Sequence, residues 1–140
     1  MDCDYNYEEF ELKEWKKIKI LDYFEIVKPN KIFQIQNSNE GKFPLISSTS
    51  LNNGISKFID DYSFDGEYLT IARNGNVGFA FVQYGKFGTT SDIIVLRKKE
   101  NINIHLCAIM ITYCLTKKYN YSNKLSLEKL IEEEILIPFN

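Results

Sequence analysis

Residues 68–84 read Tyr68-Leu-Thr-Ile-Ala-Arg-Asn-Gly-Asn-Val-Gly-Phe-Ala-Phe-Val-Gln-Tyr84. Tyr68 to Ala72 is an apolar strand. Asn74-Gly75 is a turn pair whose residues tolerate positive φ. Val77 to Tyr84 alternates, with Val77, Phe79 and Phe81 on one face and Gly78 and Ala80 opposite. Two such runs about Asn-Gly predict a β-hairpin. Working outward, Ser91 to Leu96 predicts a further buried strand, and Ile55 to Ile59 follows the turn pair Asn53-Gly54. Phe43-Pro44-Leu45-Ile46 reads as a short strand that Pro44 confines to an edge or a strand start. Pro29-Asn30 closes the apolar knot Leu21 to Ile26. Lys13 to Ile20 predicts a strand anchored by Trp15.

After the strands the chain changes character. Ile102 to Lys118 is apolar nearly all round and long enough to be a helix, which predicts a helix buried in the domain, capped by Asn101 or Asn103. Ser126 to Glu133 predicts a shorter helix with Ser126 as N-cap, and Ile135 to Pro138 a closing edge strand. Strands first and helices after give an α+β class, with a buried helix after the strands and a short C-terminal helix. Residues 1–12 read as a loose acidic lead-in and 13–140 as a single domain.

The composition narrows function. The 140 residues include 10 Phe, 9 Tyr and 1 Trp, enough for a packed core without staples. Three cysteines, Cys3, Cys107 and Cys114, without CxxC spacing argue against a disulfide framework or a zinc site. Cys107 and Cys114 are seven apart and share a helix face as small core side chains. The acidic N-terminus has no apolar signal-peptide core. The apolar stretch Ile104 to Leu115 is short of the ~20 residues of a membrane span. These readings predict a soluble, cytoplasmic protein with no membrane partner. The formal net charge of −2 weighs against strong autonomous DNA binding, for which domains are usually basic.

Catalytic constellations are missing. No Gly-rich cofactor turn or Asn-Pro-Pro-Tyr pocket stands here for a methyltransferase. Glu11-Leu12-Lys13 fits a nuclease tripeptide, but only Asp2 and Asp4 precede it as upstream Asp residues, and solvated charge is the plainer reading. His105 is the sole histidine, so a triad or a zinc site lacks its partners; its helix predicts a core or boundary residue. No cofactor and no metal are expected.

An ordered series of segments carries a resemblance. Phe-Pro-Leu-Ile-Ser-Ser-Thr-Ser (43–50), Asn-Asn-Gly-Ile (52–55), residues 68–81, and Thr-Ser-Asp-Ile-Ile-Val-Leu (90–96) resemble the DNA specificity domain of type I restriction–modification specificity subunits. Trp15 to Val27 is similar to the opening of that domain. Tyr-Asn-Tyr-Ser-Asn-Lys (119–124) with Ile-Leu-Ile-Pro (135–138) is similar to its end. The resemblance implies a curved mixed β-sheet in a non-catalytic target recognition domain that reads one half-site of double-stranded DNA through the major groove. In that family two such domains, held apart by long helices, direct a methyltransferase to an adenine. One recognition domain without a spacer helix implies an excised domain, a half-size subunit or a stand-alone relative. Its partner would be a modification subunit or a second copy of itself.

The expected DNA contacts are polar residues in loops. Arg73 can bond guanine and Asn74 adenine, with a structural ion pair and plain hairpin geometry as the alternatives. Asn76, Lys86, Thr89, Thr90 and Ser91 belong to the same hairpin region. Ser48, Thr49, Asn52 and Asn53, with Ser47, form a hydroxyl- and amide-rich loop suited to phosphates and base edges, or to an ordinary turn. Lys118 and Tyr121, with Lys117, Tyr119 and Lys124, make either a phosphate clamp or a solvated helix end. A protein-interaction module that kept the fold without DNA binding is the competing function. Glu128 to Glu134 and the acidic lead-in are the expected joining surfaces.

Overall fold

The computed structural model describes residues 14–139. The lead-in, the Glu11-Leu12-Lys13 tripeptide and Cys3 lie outside the described residues. Strand β1 (Glu14–Lys19) leads into a single helical turn α1 (Ile20–Tyr23) and β2 (Phe24–Val27). Then come β3 (Glu40–Ile46), a 3-10 turn (Asn52–Gly54), β4 (Ile55–Ile59), β5 (Phe64–Ala72), β6 (Ala80–Thr89) and β7 (Ile93–Lys98). Helix α2 (Ile104–Lys118), helix α3 (Leu127–Glu132) and β8 (Glu134–Phe139) close the chain.

The six strands β2-β7-β5-β6-β3-β4 form one mixed sheet, antiparallel except where β3 lies parallel to β6. The pairing of β3 with β4 shifts register twice, between Glu40 and Phe43 and between Leu45 and Ile46, and such irregularities bend the strand that carries them. The α+β class and the curved mixed sheet therefore stand as expected. β1 and β8 pair separately as a two-stranded ribbon.

Apolar side chains gather on both faces of the sheet. Helix α2 presses Cys107, Ile111 and Leu115 onto Leu69, Ile71 and Leu96 in the larger cluster. Phe64, Phe87, Ile46 and Val95 form a second cluster, with Phe64 and Phe87 stacked at 5.1 Å. Both predicted caps are formed: the Leu106 N–H donates to Asn103 Oδ1, and the Lys129 N–H to Ser126 Oγ.

Five expectations need correction. Asn74-Gly75 does not form a two-residue turn, because β6 begins only at Ala80. The Asn74 side chain is tied to Asp92 and to the Gly75 N–H instead, and Val77, 3% exposed, is drawn into the core from the loop. Pro44 is not on an edge, since β3 is flanked on both sides; the pairing with β6 starts only at Leu45, so the missing N–H leaves that ladder intact. Trp15 is 43% exposed and Ile18 is the buried residue of β1. Helix α2 is buried on one face only: Ile109 and Tyr113 are exposed. His105 is also exposed and meets the Tyr84 hydroxyl at 2.7 Å through Nε2; it is not a core residue.

The end of α2 is latched to the segment before β8. Glu133, 4% exposed, accepts from the Tyr119 hydroxyl at 2.6 Å and from Lys118 Nζ at 2.9 Å. Burial first, then the hydrogen bond to Glu133 and its charge, push the Tyr119 phenol up to about 12. Burial pushes the Cys107 thiol up to about 11. Both groups hold their protons more tightly folded than unfolded. Their stabilisation is present below the ordinary values of 9.0 and 10.0 and is lost as pH rises through the folded ones. The urea midpoint, followed by circular dichroism, should fall between about pH 9 and 12, and Tyr119→Phe should flatten the upper part of that fall. An unchanged midpoint across the range would contradict the assignment.

Candidate functional site

Three connections of the large sheet meet at one place. They are residues 47–54 between β3 and β4, 73–79 between β5 and β6, and 90–92 between β6 and β7. Asn76 Nδ2 donates to the Ser48 carbonyl at 2.8 Å. A Cβ at Gly75 would overlap the Ser48 hydroxyl, so the two loops touch where only glycine fits. The Arg73 N–H donates to the Asp92 carbonyl at 2.8 Å and the Thr90 N–H to the Ile46 carbonyl at 3.0 Å. Asn74 Nδ2 reaches Asp92 Oδ1 at 3.0 Å. A fourth segment flanks them, because the Leu125 N–H donates to the Arg73 carbonyl, which sets Lys124 beside the 73–79 loop.

The expected contact residues therefore divide. Ser48, Thr49, Asn52, Asn53, Arg73, Asn74, Asn76 and Thr90 come together on these loops, with Ser91 next to them. Tyr121, 77% exposed, stands on the flanking 120–123 turn. Thr89 is next in line but fully buried, its hydroxyl without a hydrogen-bond partner among the described residues. Lys86 lies opposite Asp65, at the far end of the β5–β6 ladder from the 73–79 loop, with its ammonium 5.1 Å over the Tyr62 ring. Lys118 is held by Glu133. The same pair removes Glu133 from the expected joining surface, where Glu128, Glu132 and Glu134 stay exposed.

Within the patch some polar groups hold the structure and others are unengaged. Asn74 is used at both ends, since its Oδ1 accepts from the Gly75 N–H. Asn53 Nδ2 donates to the Val82 carbonyl at 3.0 Å and Gln83 Nε2 to the Asn53 carbonyl at 2.9 Å. Thr49 Oγ1 accepts from the Leu51 N–H. By contrast, neither the half-buried Arg73 guanidinium nor the exposed Asn52 amide has a side-chain hydrogen bond or ion pair among the described residues. The structural ion pair considered for Arg73 is thus not formed there.

Arg73 lines a cleft of about 280 Å³ with Lys28, Ser91, Pro29, Ile93 and Leu127. Lys28 also lacks an anionic partner among the described residues. Its place beside Arg73 follows from β2 pairing with β7, a long-range contact that leaves no local sequence signal. The patch thus sets Lys28 and Arg73 in the cleft, with Lys124 on the flanking segment and its ammonium 5.9 Å over the Tyr121 ring, near the carboxylate of Asp92. Such a surface can bond phosphates and base edges through its cations, amides and hydroxyls. No group of three His, Cys, Asp or Glu among the described residues is placed to hold a metal ion. No helix among them is long and apolar enough to cross a membrane.

Comparison with known proteins bears on the chain as a whole. The family model for the type I restriction modification DNA specificity domain matches residues 12–139. The type I restriction enzyme MpnII specificity subunit of Mycoplasma pneumoniae is 31% identical over 107 residues, covering 73% of this chain and 32% of that protein. The type I restriction-modification S subunit from M. genitalium superposes with a TM-score of 0.67 at 20% identity, over 94% of this chain and 36% of that one. The HsdS subunit from Thermoanaerobacter tengcongensis gives 0.62 at 15% identity, over 89% and 33%. The chain thus spans about a third of the length of each of these three proteins.

Proposed function

Because this chain belongs to the type I restriction modification DNA specificity domain family, we propose that the face built from residues 47–54, 73–76 and 90–92 reads one half-site of duplex DNA for a cytoplasmic modification complex. The chain supplies recognition, and a methyltransferase partner supplies the chemistry at an adenine. The observation that carries this reading is Arg73. A half-buried guanidinium with no partner among the described residues, at the meeting point of three polar loops, is a bidentate donor held ready for guanine or phosphate.

Arg73→Ala should cost about 1–3 kcal/mol on a selected duplex and relax preference at one base pair. Lys86→Ala, at the far end of the ladder, should change affinity less than about twofold, well under the span of one good base contact. Fluorescence anisotropy after selection from a randomised duplex pool tests both. Equal losses from the two substitutions would place the DNA elsewhere.

A second reading, a protein-contact face, is favoured by one observation. Ile109 and Tyr113 of α2 are 64% and 57% exposed, and Ile109 lines a groove of about 400 Å³ with Phe81, His105 and Thr112. A chain that binds no duplex at low ionic strength would leave that face as the functional one.

A further inference from the structure

The geometry points to Leu51 as a base-contacting residue that packs against the C5 methyl group of a thymine, a specificity role that rests on the DNA-reading proposal above. Leu51 is 69% exposed and stands between the hydroxyls of residues 47–50 and the exposed amide of Asn52. A single exposed leucine would mean little. Here the backbone beneath it is held in one conformation. Asn52, Asn53 and Gly54 follow one another at φ 52°, 56° and 81°, a left-handed run built from the residue types that tolerate it, and its surroundings fix it in place.

Those surroundings are visible. Asn53 donates to the Val82 carbonyl and to Gln83 Oε1, and Gln83 returns a bond to the Asn53 carbonyl. Gln83 is 4% exposed and also reaches the buried Thr70 hydroxyl at 3.4 Å. The Ser47 and Gly54 backbones close the loop at 2.9 Å, and the Gly54 N–H donates to the Leu51 carbonyl at 3.0 Å. This network holds the tip that displays Leu51 and Asn52, while leaving both side chains in solvent.

An apolar side chain offered beside a bidentate amide matches what an A·T-rich step presents in the major groove. There adenine shows N6 and N7, and thymine shows its methyl group. Consecutive Cα atoms are about 3.8 Å apart and consecutive bases about 3.4 Å apart along a strand. Neighbouring residues at the tip therefore meet neighbouring base pairs: Asn52 an adenine, Leu51 a thymine.

Uracil is thymine without that methyl group, so it isolates the contact. A duplex is selected from a randomised pool by retention on the immobilised 140-residue chain, and each thymine is then replaced singly by uracil. For the unaltered chain, one replacement should weaken binding about fourfold, the worth of one methyl group withdrawn from water. Leu51→Ala should weaken binding to the thymine duplex by a similar factor and abolish the thymine–uracil difference there. The slope of affinity against salt should not change, which shows that phosphate contacts and the fold survive. Binding that is blind to every uracil replacement, or a thymine preference that persists in Leu51→Ala, overturns the role of Leu51 and leaves DNA reading intact. Failure of the unaltered chain to retain any duplex overturns both.

Discussion

Two copies of this chain joined by a flexible linker should bind a duplex carrying two half-sites on the order of 10²–10⁴-fold more tightly than one copy does. The expectation starts from what one copy lacks. Its net charge is −2, and Lys28, Arg73 and Lys124 face the proposed DNA beside Asp92. Each neutralised phosphate contributes about 0.9 to the slope of log affinity against log salt. Three cations then give a slope of roughly −3 at most, far from the roughly −10 of a strong binder. A single module also covers only ~600–1,000 Å². Micromolar binding at physiological salt follows. A Gly/Ser linker of roughly 36 residues has a root-mean-square span near 33 Å, close to the ~34–36 Å of one helical turn of DNA. A duplex series with half-sites spaced from five to fifteen base pairs should therefore show an optimum, measured by anisotropy against a duplex with one half-site. Nanomolar binding by the single chain, or no gain from joining at any spacing, would refute the half-site reading.

Much of the fold was legible because its signals are local. The apolar run from Ile104 to Lys118 and its Asn103 cap specify α2 within one segment, and Ser126 does the same for α3. The β5–β6 hairpin showed in the apolar runs on either side of the turn. What was not legible depends on distant partners. Asn74-Gly75 looks like a two-residue turn until Asp92, eighteen residues on, takes the Asn74 amide. The Ile104–Lys118 segment looks buried all round because periodicity does not reveal that only one of its faces meets the sheet. For the candidate site, the loop residues were legible by type, yet their convergence was not. Ser48 touches Asn76 and Gly75 only because β3 pairs with β6 and the sheet curves. Lys118 resembled a phosphate clamp because its partner Glu133 sits fifteen residues away inside an acidic run. Leu51 and Lys28 escaped notice because an exposed leucine and a lysine before proline carry no chemical signal until the fold places them.

Gly78→Ala should destabilise the folded chain by about 3 kcal/mol or more, whereas Gly85→Ala should cost about 1–2 kcal/mol. Both glycines have positive φ, 93° and 79°, so both substitutions meet the same left-handed penalty. Their surroundings differ. A Cβ at Gly85 would have nothing within 4 Å, leaving only the backbone penalty. A Cβ at Gly78 would stand 2.8 Å from the Thr116 nitrogen and 2.9 Å from the Leu115 carbonyl carbon. Those are backbone atoms in the last turns of α2, and no rotamer change can move them away. The loop that carries Arg73, Asn74 and Asn76 would have to lift from the helix, or the helix from the Leu69–Ile71–Leu96 cluster. Overpacking of that kind typically adds about 1–3 kcal/mol to the conformational term. Urea unfolding followed by circular dichroism measures both variants against the unaltered chain. Because the 73–79 loop is seated on α2 through Gly78, any folded Gly78→Ala protein should also bind the selected duplex more weakly. Equal, small losses of stability for the two variants would mean that the loop does not rest on the helix, and would remove the physical basis for its place in the reading face.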